Sequence, residues 1–283
     1  MTSRGVREHH LRIGARDVLL LEGPAGWGEC SPLPGYACDP LAAFAAATEA
    51  ATIGWPAPRR EQVLANALVD DGAVVAARLA GAPAVKVKVG RRSIEEDVAR
   101  VRVVRDAVGP HVPLRVDANG AWDVDAAVVA IGRLAAADLE LVEQPVATID
   151  ELATLRRRVD VPLAADECVR TLDDARRIRA LDAADVLVLK VQPLGGVRAG
   201  LAVAEAAGVP AIVTSMLETS VGLAAGVALA CALPELSHAC GLATLDALAG
   251  DVTVDSLRPR DWVLRARAVV PDPDLLARYS VMV

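Results

Sequence analysis

The chain has 283 residues, of which 53% are apolar and only 2% aromatic, so it is long enough to bury a large core of aliphatic side chains. Its formal net charge is −7, with 30 basic residues scattered among 37 acidic ones, which excludes a basic stripe for nucleic acid or an anionic membrane surface. Five cysteines (Cys30, Cys38, Cys168, Cys231 and Cys240) form no CxxC pair, which argues against both a zinc site and a disulfide framework.

The opening stretch MTSRGVREHHLRIG is charged throughout and lacks the continuous apolar core of a signal peptide, so the expected location is the cytoplasm. Residues 10–13 and 18–21 read as short strands with Gly/Pro turns, and the Ala-rich stretch 41–51 reads as a helix. Residues 1–60 are therefore expected to form a small α+β unit. From residue 61 the pattern becomes a repeat of apolar run, polar loop and amphipathic helix. The runs 63–68, 84–89, 112–117, 139–143, 161–166, 186–190 and 209–215 predict strands, with a weaker eighth near Ser237. Helical patterns fill the gaps at 94–108, 124–134, 172–180 and 197–207. Eight such units of roughly 25 residues predict a closed parallel barrel over 61–245. The longest apolar run, 221–233, falls short of the roughly 20 residues a membrane span needs and reads as a buried helix. Pro259, Pro271 and Pro273 break the rhythm of the tail, so 246–283 is expected to return onto the N-terminal unit.

Five ionisable residues close five successive predicted strands: Lys88, Asp117, Glu143, Asp166 and Lys190, at spacings of 29, 26, 23 and 24 by subtraction. In a parallel barrel those strand ends face one mouth, where barrel active sites are built. A single acid after a strand is as often a helix cap as a functional group. Three in consecutive units, framed by two lysines, point to a site. Three converging carboxylates repel unless a cation neutralises them, and an all-oxygen shell suits a hard divalent ion, most often magnesium. Asp117, Glu143 and Asp166 are the expected metal ligands. A neighbouring ion and a second ammonium are expected to lower a lysine pKa and free an amine as base. The matching chemistry is abstraction of a proton α to a carboxylate, for which a Lys base beside magnesium is a known pattern. By strand alternation Lys86 shares a face with Lys88, so both are expected to point into the barrel, where Lys86 is a candidate substrate contact. His9, His10, His111 and His238 have no ligand spacing and are assigned no chemistry.

The segments KVKVG (86–90), RVDANGAW (115–122), EQP (143–145), ADE (165–167) and LKVQPLGG (189–196) together resemble the muconate-lactonizing subgroup of the enolase superfamily. The resemblance implies a modified TIM barrel of (β/α)7β type with a small α+β N-terminal capping domain. It implies Lys88 and Lys190 as the catalytic pair, and Mg2+ as cofactor, with Mn2+ an acceptable substitute. Within the subgroup, RVDANG, TSMLETSVGL (214–223) and GWGECSPLPGY (26–36) are most similar to o-succinylbenzoate synthases, the last resembling a loop that closes over their site. That implies dehydration of a cyclohexadiene carboxylate, a step of menaquinone biosynthesis, with Lys88 as base and acid and Lys190 as a stabilising ammonium. Arg115 and Asn119 stand on either side of the metal ligand Asp117 and are expected to bind substrate; Ser215 and Glu218, after the seventh strand, are expected to hold the succinyl tail or orient a lysine, with capping of the next helix an equal alternative for Ser215 or Thr219. The expected partner is a small-molecule carboxylate, without nucleic acid or membrane, and the sequence is compatible with a monomer. Racemisation of N-succinylamino acids or dipeptide epimerisation is the nearest alternative, and a non-catalytic binding barrel a more distant one.

Overall fold

The computed structural model describes residues 5–70 and 79–281. The chain opens with three antiparallel strands, β1 (Arg7–Ile13), β2 (Arg16–Gly23) and β3 (Gly26–Cys30), side by side in chain order. Helix α1 (Pro40–Thr52) packs on this sheet. Asp39 starts the helix by accepting from the Leu41 amide, and Pro40 takes a first-turn position where an N–H would have no partner. The helix lies so close that a Cβ on Gly28 would stand 2.0 Å from the Ala47 carbonyl oxygen, which only glycine avoids. Both expected strands are thus longer than 10–13 and 18–21. The first five residues of the expected closing loop at 26–36 are a strand, hidden because its glycines carry no hydrophobic signal.

Seven parallel strands follow, in one sheet whose spatial order is the chain order: β5 (Ala67–Val69), β6 (Val85–Lys88), β7 (Leu114–Asp117), β8 (Leu139–Glu143), β9 (Leu163–Ala165), β10 (Val186–Leu189) and β11 (Ala211–Val213). The sheet closes on itself through Cys240, which bridges Ala65, and Gly241, which bridges Thr214. The Asn66 amide donates to the Cys240 carbonyl at 2.8 Å and the Gly241 amide to that of Val213 at 2.9 Å. The eighth element therefore lies three residues beyond Ser237. It is too short to leave a readable alternation.

The strand expected at 63–68 is two strands. Before β5, β4 (Gln62–Leu64) pairs antiparallel with β12 (Val263–Arg265), outside the barrel. Val63, Ala65, Ala67 and Val69 are all buried, so one unbroken alternation runs through both pieces. Periodicity reports which face is buried and not which partner covers it. Strands β7, β9 and β11 start later than expected because Pro113, Pro162 and Pro210 offer no N–H to the ladder. Their carbonyls still accept from the amides of Val85, Val142 and Leu187.

Helices α2 (Ile94–Val108), α3 (Val124–Leu134), α4 (Ile149–Arg156), α5 (Leu172–Leu181), the short α6 (Val191–Leu194), α7 (Val197–Ala207) and α8 (Ser220–Ala232) alternate with these strands. Reciprocal caps start three of them, Ser93 with Glu96, Thr148 with Glu151 and Thr171 with Asp174. Every residue of α8 is buried, because it packs against β3 of the small sheet as well as β4 and β11. The tail ends in α9 (Pro273–Tyr279), which packs on β1, and Ser280 bridges Leu11. Among the described residues no helix is long and apolar enough to cross a membrane.

Candidate active site

Strands β6, β7 and β8 end on Lys88, Asp117 and Glu143, and the register pairs Lys88 with Asp117 and Asp117 with Glu143. Asp166 and Lys190 directly follow β9 and β10. Lys86, Lys88, Asp117, Asp166 and Lys190 line one cavity of about 550 Å³ at the barrel mouth, and Glu143 lies just beneath. The ammonium of Lys86 donates to Asp117 Oδ2 at 3.1 Å and to Glu143 Oε1 at 2.9 Å. That of Lys88 donates to the same Asp117 oxygen at 2.6 Å and to Asn119 Oδ1 at 2.9 Å, and Lys190 donates to Asp166.

Asp117, Glu143 and Asp166 are at most 2% exposed, so their charges interact strongly. Burial, then repulsion from Asp117, pushes the Glu143 carboxyl up to about 8. Burial acts the same way on Asp117, but Lys86 and Lys88 override it and hold that carboxyl well below its usual value. For Lys190, burial favours the neutral amine, yet Asp166, Tyr36 and Glu167 outweigh it and raise the pKa.

Tyr36 carried no sequence signal beyond its place in the GWGECSPLPGY segment. Its hydroxyl donates to Asp166 Oδ1 at 3.0 Å, and the Lys190 ammonium and the Arg170 guanidinium each lie over its ring, 4.8 Å from the centroid. Asn119 holds a left-handed backbone (φ 49°) while its amide donates to Glu167 Oε1. Ser215 lines the cavity and shares a 2.6 Å hydroxyl contact with Thr244. Leu217, on the same wall, is strained at φ 60°, a conformation that costs a branched side chain about 1–3 kcal/mol.

Two expected substrate contacts do not reach the cavity. Arg115 points below the rim: it is 1% exposed, ion-paired to Glu140 at 2.5 Å and bonded to the Ala239 carbonyl. Standing two residues before Asp117, it occupies a deeper layer on the same face. Burial raises the Glu140 pKa, but His238 and Arg115 override it and bring it down to about 2. Arg115→Met therefore leaves the half-buried Glu140 with His238 as its remaining partner and should cost about 2 kcal/mol. A lowered melting temperature with unchanged KM is expected; raised KM at unchanged stability would restore the contact role.

Glu218, also expected at the substrate, is buried behind the wall, where it accepts from the Met216 amide at 2.6 Å and from Gln192. Burial, then the nearby Glu29, pushes its carboxyl up to about 7. Between the ordinary value of 4.5 and about 7 the native state holds a proton that the unfolded chain has released. Stability from this group is full below that window and falls as pH rises through it, by about 3 kcal/mol. Glu218→Gln mimics the protonated form. Its melting temperature should drop less than that of the wild type between pH 5 and 8, and equal slopes would refute the assignment.

Residues 5–51 match the enolase N-terminal domain-like family and residues 70–272 the enolase C-terminal domain-like family. This chain belongs to the enolase superfamily. The o-succinylbenzoate synthase of Thermobifida fusca is 54% identical over 95% of this chain and 87% of its own length. That of Mycolicibacterium smegmatis is 46% identical over 95% and 85%, respectively. Among solved structures, muconate cycloisomerase from Pseudomonas fluorescens superposes with a TM-score of 0.85 at 22% identity, covering 98% of both chains. A dipeptide epimerase from Enterococcus faecalis gives 0.78 at 23% identity, covering 94% of this chain and 97% of that one. These two establish the fold.

Enolase-superfamily enzymes generally use a divalent metal. Among the described residues no three acidic, histidine or cysteine side chains stand together as a finished metal cage, since ammonium groups lie among the acids. The donor set nonetheless suits a hard cation: three buried carboxyl groups offer oxygen alone, and the Lys86 ammonium already bridges two of them as a positive charge.

Proposed function

We propose that this enolase-superfamily chain is an o-succinylbenzoate synthase that dehydrates 2-succinyl-6-hydroxy-2,4-cyclohexadiene-1-carboxylate to 2-succinylbenzoate in menaquinone biosynthesis, with magnesium as its metal. The observation that carries the reading is the pair Lys88 and Lys190 facing one cavity across strand-end acids, in a chain 46–54% identical to synthases over nearly its whole length. Asp117, Glu143 and Asp166 would hold the cation, which supplies Lewis-acid neutralisation of the substrate carboxylate as the α carbon loses its proton.

Lys88 takes that proton as a neutral amine, with Asp117 and Asn119 fixing the direction of its Nζ. It returns the proton to the departing hydroxyl; water leaves and the ring becomes aromatic. Lys190 keeps its proton, because Asp166 holds it in the ammonium form, and opposes the negative charge that develops. Lys86 and Ser215 contact substrate oxygens from the cavity wall, and Tyr36 shields Lys190 from water. A racemase would need both lysines to exchange protons with the substrate. Mixing purified chain with Mg2+ and the diene tests the reading. EDTA-sensitive loss of diene absorbance is expected, and an inert mixture, or deuterium exchange at the α carbon of N-succinylamino acids instead, would overturn it.

A further inference from the structure

Glu29 ends the small N-terminal sheet, yet its partners bind the barrel. It is 4% exposed and accepts four hydrogen bonds. Oε1 takes the Ser31 hydroxyl at 2.6 Å and the Thr219 amide at 3.2 Å, while Oε2 takes the Thr219 hydroxyl at 2.5 Å and the Gly222 amide at 2.9 Å. Thr219 and Gly222 belong to the first turn of α8, where an anion is favoured by the free amides and the helix dipole. The carboxylate that serves this helix start comes from a different sheet, 190 residues earlier in the chain.

Both groups of donors adjoin cavity walls. Ser31 begins the segment that carries Leu33, Pro34 and Tyr36 into the cavity, and Thr219 follows Met216 and Leu217 on another side. Gln192, two residues after Lys190, ties the same place together. Its Oε1 accepts from the Ser31 amide at 2.8 Å, and its Nε2 donates to Ser31 Oγ and to Glu218 Oε1 at 3.2 Å each. Arg16 adds a second strap between the same two segments, donating to the Ser31 carbonyl at 2.5 Å and the Met216 carbonyl at 3.3 Å. The strained Leu217 sits between these anchors. An apolar seam holds two units together without regard to small slips; four directional bonds on one buried carboxylate fix the offset of both segments at once.

We propose that Glu29 is a positioning residue for substrate: it sets the 31–37 segment and the 214–219 segment in register as two walls of one cavity. The inference rests on the reaction proposed above, but one of its two readouts does not. In Glu29→Gln, one acceptor oxygen becomes an amide facing the N–H and O–H donors of α8. With Mg2+ and the diene, KM should rise about tenfold while kcat changes by less than about threefold. Calorimetry should find Mg2+ affinity unaltered, because Glu29 touches none of Asp117, Glu143 or Asp166. Independently of any substrate, amide hydrogen exchange should quicken in 31–37 and 214–219 together. Thr219→Val should reproduce both effects and Thr219→Ser neither, which keeps the test open if Glu29→Gln does not fold. A lowered melting temperature with unchanged KM, faster exchange in one segment alone, or a loss of kcat without a rise in KM would each overturn the proposal. Wild-type chain inert toward the diene, with both segments loosening together in Glu29→Gln, would strike the reaction and uphold the positioning role.

Discussion

Lys88→Ala and Lys190→Ala each lower turnover of the diene by about a thousandfold, the range that a positioned proton-transfer or charge-stabilising group supplies. The two losses have different origins. Lys88 is bonded to Asp117 and Asn119 at the open side of the cavity, so its removal deletes the group that moves the proton. Lys190 is paired with Asp166 and sits 4.8 Å from the Tyr36 ring centroid, so its removal deletes a fixed positive charge. Lys190→Arg therefore recovers part of the rate, whereas Lys88→Arg does not, since a guanidinium never deprotonates at neutral pH. Steady-state kinetics on the four variants makes the distinction. A Lys190→Ala variant retaining more than about a tenth of wild-type kcat would remove this residue from the mechanism.

A divalent cation should raise the melting temperature of the chain by about 5–10 °C at saturation, and EDTA should reverse it. The physical source is relief of repulsion among three nearly inaccessible carboxyl groups; burial first, then Asp117, pushes Glu143 up to about 8. Asp166→Asn leaves two of the three anionic ligands and should weaken calorimetric metal binding at least about a hundredfold, with activity falling in step. Because the variant also takes the acid partner from the nearly buried Lys190 ammonium, it should melt below the metal-free wild type. A thermal profile indifferent to Mg2+ at millimolar concentration would dismiss the three acids as ligands.

Much of this site was legible before any coordinates, for a local reason. A barrel strand is a short, mostly apolar run, and the charged residue at its C-terminal end marks the barrel rim, so Lys88, Asp117, Glu143, Asp166 and Lys190 could be placed by counting. Arg115 and Glu218 were misplaced because depth along the barrel axis and the side of a loop are not properties of neighbouring residues. Tyr36 was passed over because its partner Asp166 lies 130 residues away.

The residue order by itself determined the alternation of strand and helix, the buried face of each, and the strand-end acids and amines. These depend on periodicity and composition, which act over a few residues. Only the tertiary structure decided that one alternation at 62–69 serves two different sheets, that Cys240 and Gly241 close the barrel, and that Glu29 caps a helix across the seam. Those outcomes are hydrogen-bond pairings between segments far apart in sequence, chosen by which buried donors and acceptors the packed core leaves facing one another.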